Sequence, residues 1–184
     1  MRSDDELYGS FLSGDSAACD ELMIRYGDSL TYFLNGYLHN PDDAEDLMIE
    51  VFARLIVKRP KIGEGNFKAY IYRSARNLAT RFHEKKIRTQ MFSLDEIGEK
   101  GMEPALSGDG FADDERRKIL HICLGRIPPE MREALWLFYF EGMSYADIAA
   151  VMRVNKKRID HLLSKGRDRL KRELEKEGVT DAVE

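Results

Sequence analysis

The sequence has no apolar run approaching the ~18 residues that a membrane-crossing helix needs, so no membrane insertion is expected. Its first residues, Met1-Arg2-Ser3-Asp4-Asp5-Glu6, are acidic and lack the apolar stretch of a secretory signal; a cytoplasmic protein is expected. Cysteine is scarce. Cys19 and Cys123 lie far apart and form no CxxC pair, which argues against a disulfide framework and against a zinc site. His39, His83, His121 and His161 share no metal-ligand spacing. Neither a Walker-type glycine-rich loop nor a nucleophile elbow is present. The expectation is a protein that is not an enzyme and has no metal and no cofactor of its own. Sustained apolar–polar alternation is also missing, so strands are not expected.

What the chain does have is sorted charge. Its 184 residues are 43% hydrophobic and 34% charged, with a net charge of −4, and the length allows one ordinary domain or two small ones. Residues 1–53 carry 2 basic and 12 acidic side chains, whereas residues 54–88 carry 11 basic against Glu64 and Glu84. Residues 91–114 hold Lys100 against seven acids, and residues 153–172 hold 9 basic against Asp160 and Asp168. Two basic blocks in an acidic chain fit two footprints on phosphate backbones; they also fit two solvated helix faces.

Helical periodicity runs through most of the chain. A first helix follows the N-cap Ser3, and a second spans about Asp15 to Leu38. Asn40-Pro41 supplies an N-cap and a first-turn proline for a third helix carrying Leu47, Val51, Phe52, Leu55 and Ile56. A loop from Lys58 to Asn66 precedes a fourth helix with Phe67, Tyr70, Ile71, Ser74, Ala75, Leu78 and Phe82 on one stripe. Phe67, Tyr70 and Phe82 are assigned to the core; Tyr72 falls off the stripe. Gly98, Gly101, Pro104, Gly108 and Gly110 punctuate residues 91–114, which are expected to be a flexible acidic linker. The domains are placed at 1–90 and 115–184.

In the second domain, Ile127-Pro128-Pro129-Glu130 opens a helix through Met131, Leu135, Trp136, Phe138 and Tyr139. Gly142 ends it, and Ser144 with Asp147 three residues on starts a short apolar helix. A tight turn at Met152 to Asn155 leads into a basic last helix. Short helix, turn, basic helix is the layout of a DNA-reading helix-turn-helix; the alternative is an ordinary helical hairpin with a basic surface.

Two stretches carry a resemblance. The first is Asp43-Ala44-Glu45-Asp46-Leu47-Met48-Ile49-Glu50-Val51-Phe52 with Phe67-Lys68-Ala69-Tyr70-Ile71-Tyr72-Arg73-Ser74-Ala75-Arg76-Asn77-Leu78-Ala79. The second runs from Ile127-Pro128-Pro129-Glu130 through Glu141-Gly142-Met143-Ser144-Tyr145-Ala146-Asp147-Ile148-Ala149 to Arg167-Asp168-Arg169-Leu170. They resemble regions 2 and 4 of the extracytoplasmic-function branch of the sigma-70 family. The resemblance implies an all-α protein of two small helical domains on a flexible acidic linker. It implies a sigma factor that directs RNA polymerase to promoters; the alternative is a sigma-like mimic that sequesters an anti-sigma factor without binding DNA.

The resemblance also implies roles. Asp43, Asp46, Glu50 and Phe52 would bind the clamp helices of the polymerase largest subunit. Lys61, Asn66, Tyr72, Arg73, Arg76, Asn77 and Arg81 would read the minus-ten element of promoter DNA as single strand. Asn155, Lys156, Lys157, Arg158, His161, Lys165 and Arg169 would read the minus-thirty-five element in the major groove. The surface around Trp136, Leu137 and Phe140 would meet the flap of the second-largest subunit, although core packing is the stronger reading for at least two of the three; an anti-sigma factor would hold the free protein inactive. The chain departs from the family pattern at Ile49, Arg81, Glu84, Arg153, Asp160 and Leu162. The last two stand where DNA-facing lysine and arginine are common, and Arg153 where a turn glycine is common.

Overall fold

A computed structural model describes residues 1–92 and 111–179. The described residues are helical, with no strand among them. The chain divides into two compact units, 1–100 and 101–184.

The first unit is built from α1 (Asp4–Leu12), α2 (Ser16–Leu38), α3 (Pro41–Lys58) and α4 (Phe67–Phe92). Local chemistry starts these helices where the sequence predicts. Ser3 caps α1 through a reciprocal box with Glu6, and Asn40 accepts from the backbone N–H groups of Asp42 and Asp43 at the start of α3. Leu7, Leu22, Leu30, Leu34, Phe52, Leu55, Phe67 and Ile71 fill the core. Ile56 is 45% exposed; it lies beyond the stripe that Leu47, Val51 and Leu55 turn inward.

The second unit comprises α5 (Phe111–Arg126), α6 (Pro129–Leu135), a π-helical turn (Trp136–Phe140), α7 (Tyr145–Met152) and α8 (Lys156–Lys176). The single helix expected from Pro129 through Tyr139 therefore divides. From Trp136 the backbone widens, with the Glu141 N–H donating to the Trp136 carbonyl five residues back. Trp136 stacks on Phe140 at 4.4 Å within that turn, and Leu137 stays in the core.

Residues 93–110 lie outside the described residues, and most of the expected linker with them. Its two ends differ from expectation: 91–92 complete α4 and 111–114 open α5.

One close approach sets the packing of α8. A Cβ on Gly166 would meet Leu135 Cγ and Cδ1 at 3.2 Å and Met131 Cβ at 3.4 Å. The helix rests against α6 through a bare backbone.

Arg153 is left-handed, at φ 57°, where an L side chain costs about 1 kcal/mol relative to glycine. Its side chain is exposed and makes no ion pair among the described residues. Arg153→Gly is therefore expected to stabilise the second unit by roughly 1 kcal/mol, less the added freedom of its unfolded chain. Urea melting of the full chain checks this; an unchanged or lower midpoint would contradict it.

Candidate nucleic-acid and polymerase interfaces

On α4, the expected minus-ten residues Arg73, Arg76, Asn77 and Arg81 follow one another at helical spacing. Arg73 and Arg81 are exposed, and Arg76 and Asn77 are half-buried. Lys61 and Asn66 are exposed on the preceding loop, where the Asn66 amide donates to the Glu64 carbonyl at 3.1 Å.

Tyr72 requires a correction. Its side chain is 0% exposed and stands edge-on to Phe33 of α2 at 5.2 Å. α4 packs against α1, α2 and α3 together, so its buried arc is wider than the stripe toward one partner and takes in Tyr72 and Ala79. Tyr72 is a core residue, not a DNA contact.

Sequence reasoning missed what holds the loop before α4. Tyr8 donates from its hydroxyl to the Pro60 carbonyl at 2.6 Å, and the Gly65 N–H donates to Asp5 at 2.8 Å. The Arg59 guanidinium lies over the Phe11 ring at 5.2 Å. Burial raises the Tyr8 phenol to about 12, so it stays a donor across the physiological range. Both ends of the loop are thus tied to α1. No local pattern marks this, because partners such as Tyr8 and Pro60 are distant in sequence.

On α3, Asp46 is exposed and unpaired among the described residues. Asp43 lies 3.9 Å from the Lys86 ammonium. Glu50 accepts from both Nε and Nη2 of Arg54, at 2.9 and 2.5 Å. Phe52 is the second correction: at 1% exposure it belongs to the core and offers no surface to a polymerase. Ile49, Ile56 and Val57 are the apolar side chains that α3 exposes.

In the second unit, the helix-turn-helix has the expected local construction. The Ser144 hydroxyl accepts from the Asp147 N–H, Arg153 closes α7, and Asn155 accepts from the Arg158 N–H at 2.8 Å. Lys156, Lys157, Arg158, His161 and Lys165 are exposed along α8. The Arg158 guanidinium is held 2.7 Å from Glu130 at the start of α6. Arg169 is not brought to the same end. Thirteen residues beyond Lys156, it stands roughly 20 Å further along the axis, in a cleft with Arg126 and Arg172. Leu162, read as a substitution on the DNA face, is 1% exposed and points into the core. Of the apolar candidates, Leu137 is buried, whereas Phe140 and its neighbour Tyr139 are 51% and 56% exposed.

Among the described residues no group of histidine, cysteine and carboxylate side chains is arranged to hold a metal ion. No helix among them is long and apolar enough to cross a membrane.

Comparison with known proteins decides the family. The profile of sigma-70 region 2 matches residues 22–89, and that of sigma-70 region 4 matches residues 117–170. The chain belongs to the sigma-70 family. Within this family it is similar to the ECF RNA polymerase sigma factor SigE of Mycolicibacterium smegmatis, 30% identical over 86% of this chain and 63% of that one. The chain thus spans less than two thirds of that relative's length. It is also 26% identical to the ECF RNA polymerase sigma factor SigM of Bacillus subtilis, over 88% of this chain and 98% of that one. These relatives place it in the extracytoplasmic-function branch of the family. Among solved structures, the sigma factor RpoE of Bartonella quintana, in complex with the anti-sigma factor NepR, shares the sigma fold at TM-score 0.66 and 23% identity. That match covers 85% of this chain and 96% of that one. CnrH in complex with the cytosolic domain of CnrY does so at TM-score 0.68 and 19% identity, over 94% and 97% of the two chains.

Proposed function

We propose that this chain is a cytoplasmic initiation factor that binds core RNA polymerase and directs it to a set of promoters. The observation that carries the proposal is the coincidence of the two sigma-70 regions with two exposed cationic faces, on α4 and on α8, in a chain of net charge −4. Residues 1–90 act as region 2 and residues 115–184 as region 4. Asp46 and Glu50 receive basic groups of the clamp helices, and Glu50 exchanges Arg54 for its partner. Arg73, Arg76 and Asn77 track and read the opened minus-ten strand with Lys61, Asn66 and Arg81. The first turns of α8 enter the major groove at the minus-thirty-five element, with Lys156, Lys157, Arg158 and His161 foremost.

An anti-sigma factor, like the partner of the Bartonella quintana protein, would cover the apolar side chains Ile49, Ile56 and Val57 that α3 exposes. A flap partner finds its apolar surface at Phe140 and Tyr139.

The deciding experiment is a pull-down with purified bacterial core polymerase followed by runoff transcription from a promoter library. Core binding with transcription from a defined subset is the expected result. Tight binding to an anti-sigma domain with no core binding would establish the mimic instead.

A further inference from the structure

Beyond its reading end, α8 carries a second concentration of positive charge. Arg158, Lys165, Arg169, Arg172 and Lys176 follow at intervals of seven, four, three and four residues, so they share one flank of the helix. At its far end this flank meets the last turn of α5 across an open cleft of about 350 Å³, lined by Arg126, Ile127, Arg169, Arg172, Glu173 and Lys176.

The carboxylates at the cleft are already committed. Arg126 lies 2.6 Å from Glu177 and 3.6 Å from Glu173, and Lys176 lies 2.5 Å from Glu173. These contacts hold the Glu173 carboxyl below its ordinary range, the Lys176 hydrogen bond foremost. Two glutamates thus balance Arg126 and Lys176. Arg169 and Arg172 make no ion pair among the described residues, which leaves an excess of two positive charges beside forked guanidinium donors.

We propose that this cleft is an oxyanion site for phosphate groups, separate from the base-reading end of α8. A doubly charged phosphate matches the uncompensated charge, and guanidinium forks match its oxygens. Phosphate can reach the cleft from the DNA backbone, continued along the flank from Arg158, or from a free polyphosphate.

The test uses the full chain and the double variant Arg169→Gln/Arg172→Gln, which removes the two uncompensated charges and leaves the Arg126 ion pairs in place. In the first arm, pyrophosphate is titrated by calorimetry at constant ionic strength. Binding that weakens at least about tenfold in the variant supports the site with a free anion as occupant. In the second arm, promoter binding by the reconstituted holoenzyme is measured against salt concentration. A slope shallower by about two in the variant supports the site with backbone phosphate as occupant. Identical behaviour of the two proteins in both arms overturns the proposal. The second arm rests on the sigma-factor reading; if the unaltered protein gives no holoenzyme, that reading fails and the pyrophosphate arm alone decides the site.

Discussion

Tyr72→Ala should lower the stability of the first unit by about 3–5 kcal/mol, the range for removing a large ring from a closed core. Urea unfolding, followed by a probe in α2 or α4, measures it. The ring is wholly enclosed and meets Phe33 edge-on at 5.2 Å, so truncation leaves a cavity between α2 and α4. Tyr72→Phe keeps the ring and should retain most of the stability. A surface residue would behave differently, because exposed substitutions stay within about 0.5 kcal/mol. Were Tyr72→Ala to melt with the parent and lose only promoter opening, the assignment of this ring to the core would be wrong.

The second large effect concerns charge rather than packing. The double variant Lys61→Glu/Arg73→Glu should reduce runoff transcription by about a hundredfold or more, since two charge-assisted phosphate contacts at roughly 1.5 kcal/mol each are lost and repulsion replaces them. Both side chains are exposed, and neither makes an ion pair among the described residues. Melting and core binding should therefore stay close to the parent. Unchanged transcription would remove the loop and α4 from the DNA interface. A parallel loss of core binding would place these cations on the polymerase side instead.

Features set by adjacent chemistry were legible in the sequence. Ser3, Asn40 and Ser144 each act as expected, because an N-cap is decided by one side chain and the backbone two or three residues ahead. The tight turn from Met152 to Asn155 was legible as well; the left-handed Arg153 was signalled only by the turn glycine common at that position in the family the chain resembles. Burial was harder to read. Tyr72 and Phe52 lie near the edge of an apolar stripe, and which side they take depends on how many helices crowd around them. Leu162 misled in the same direction: family position suggested a DNA-facing site, while its own apolar side chain and its place beside Leu163 turn it inward. The π-helical turn left no signal because all five of its residues, Trp136 to Phe140, are apolar or aromatic, so the segment carries no period to read. The ties from α1 to the loop before α4 join Tyr8 to Pro60 and Asp5 to Gly65, pairs that no local pattern connects.

The bare contact at Gly166 makes α8 a lever. Its pivot is the place where Leu135 and Met131 touch the helix backbone, and Lys156 lies ten residues away, roughly 15 Å along the axis. A wedge of one methyl group that tilts the helix by about 5° would swing that tip by roughly 1 Å, enough to spoil hydrogen bonds made to base edges. The aim of the reading end proposed for α8 is thus governed by a residue with no side chain, on the face of the helix that packs against α6.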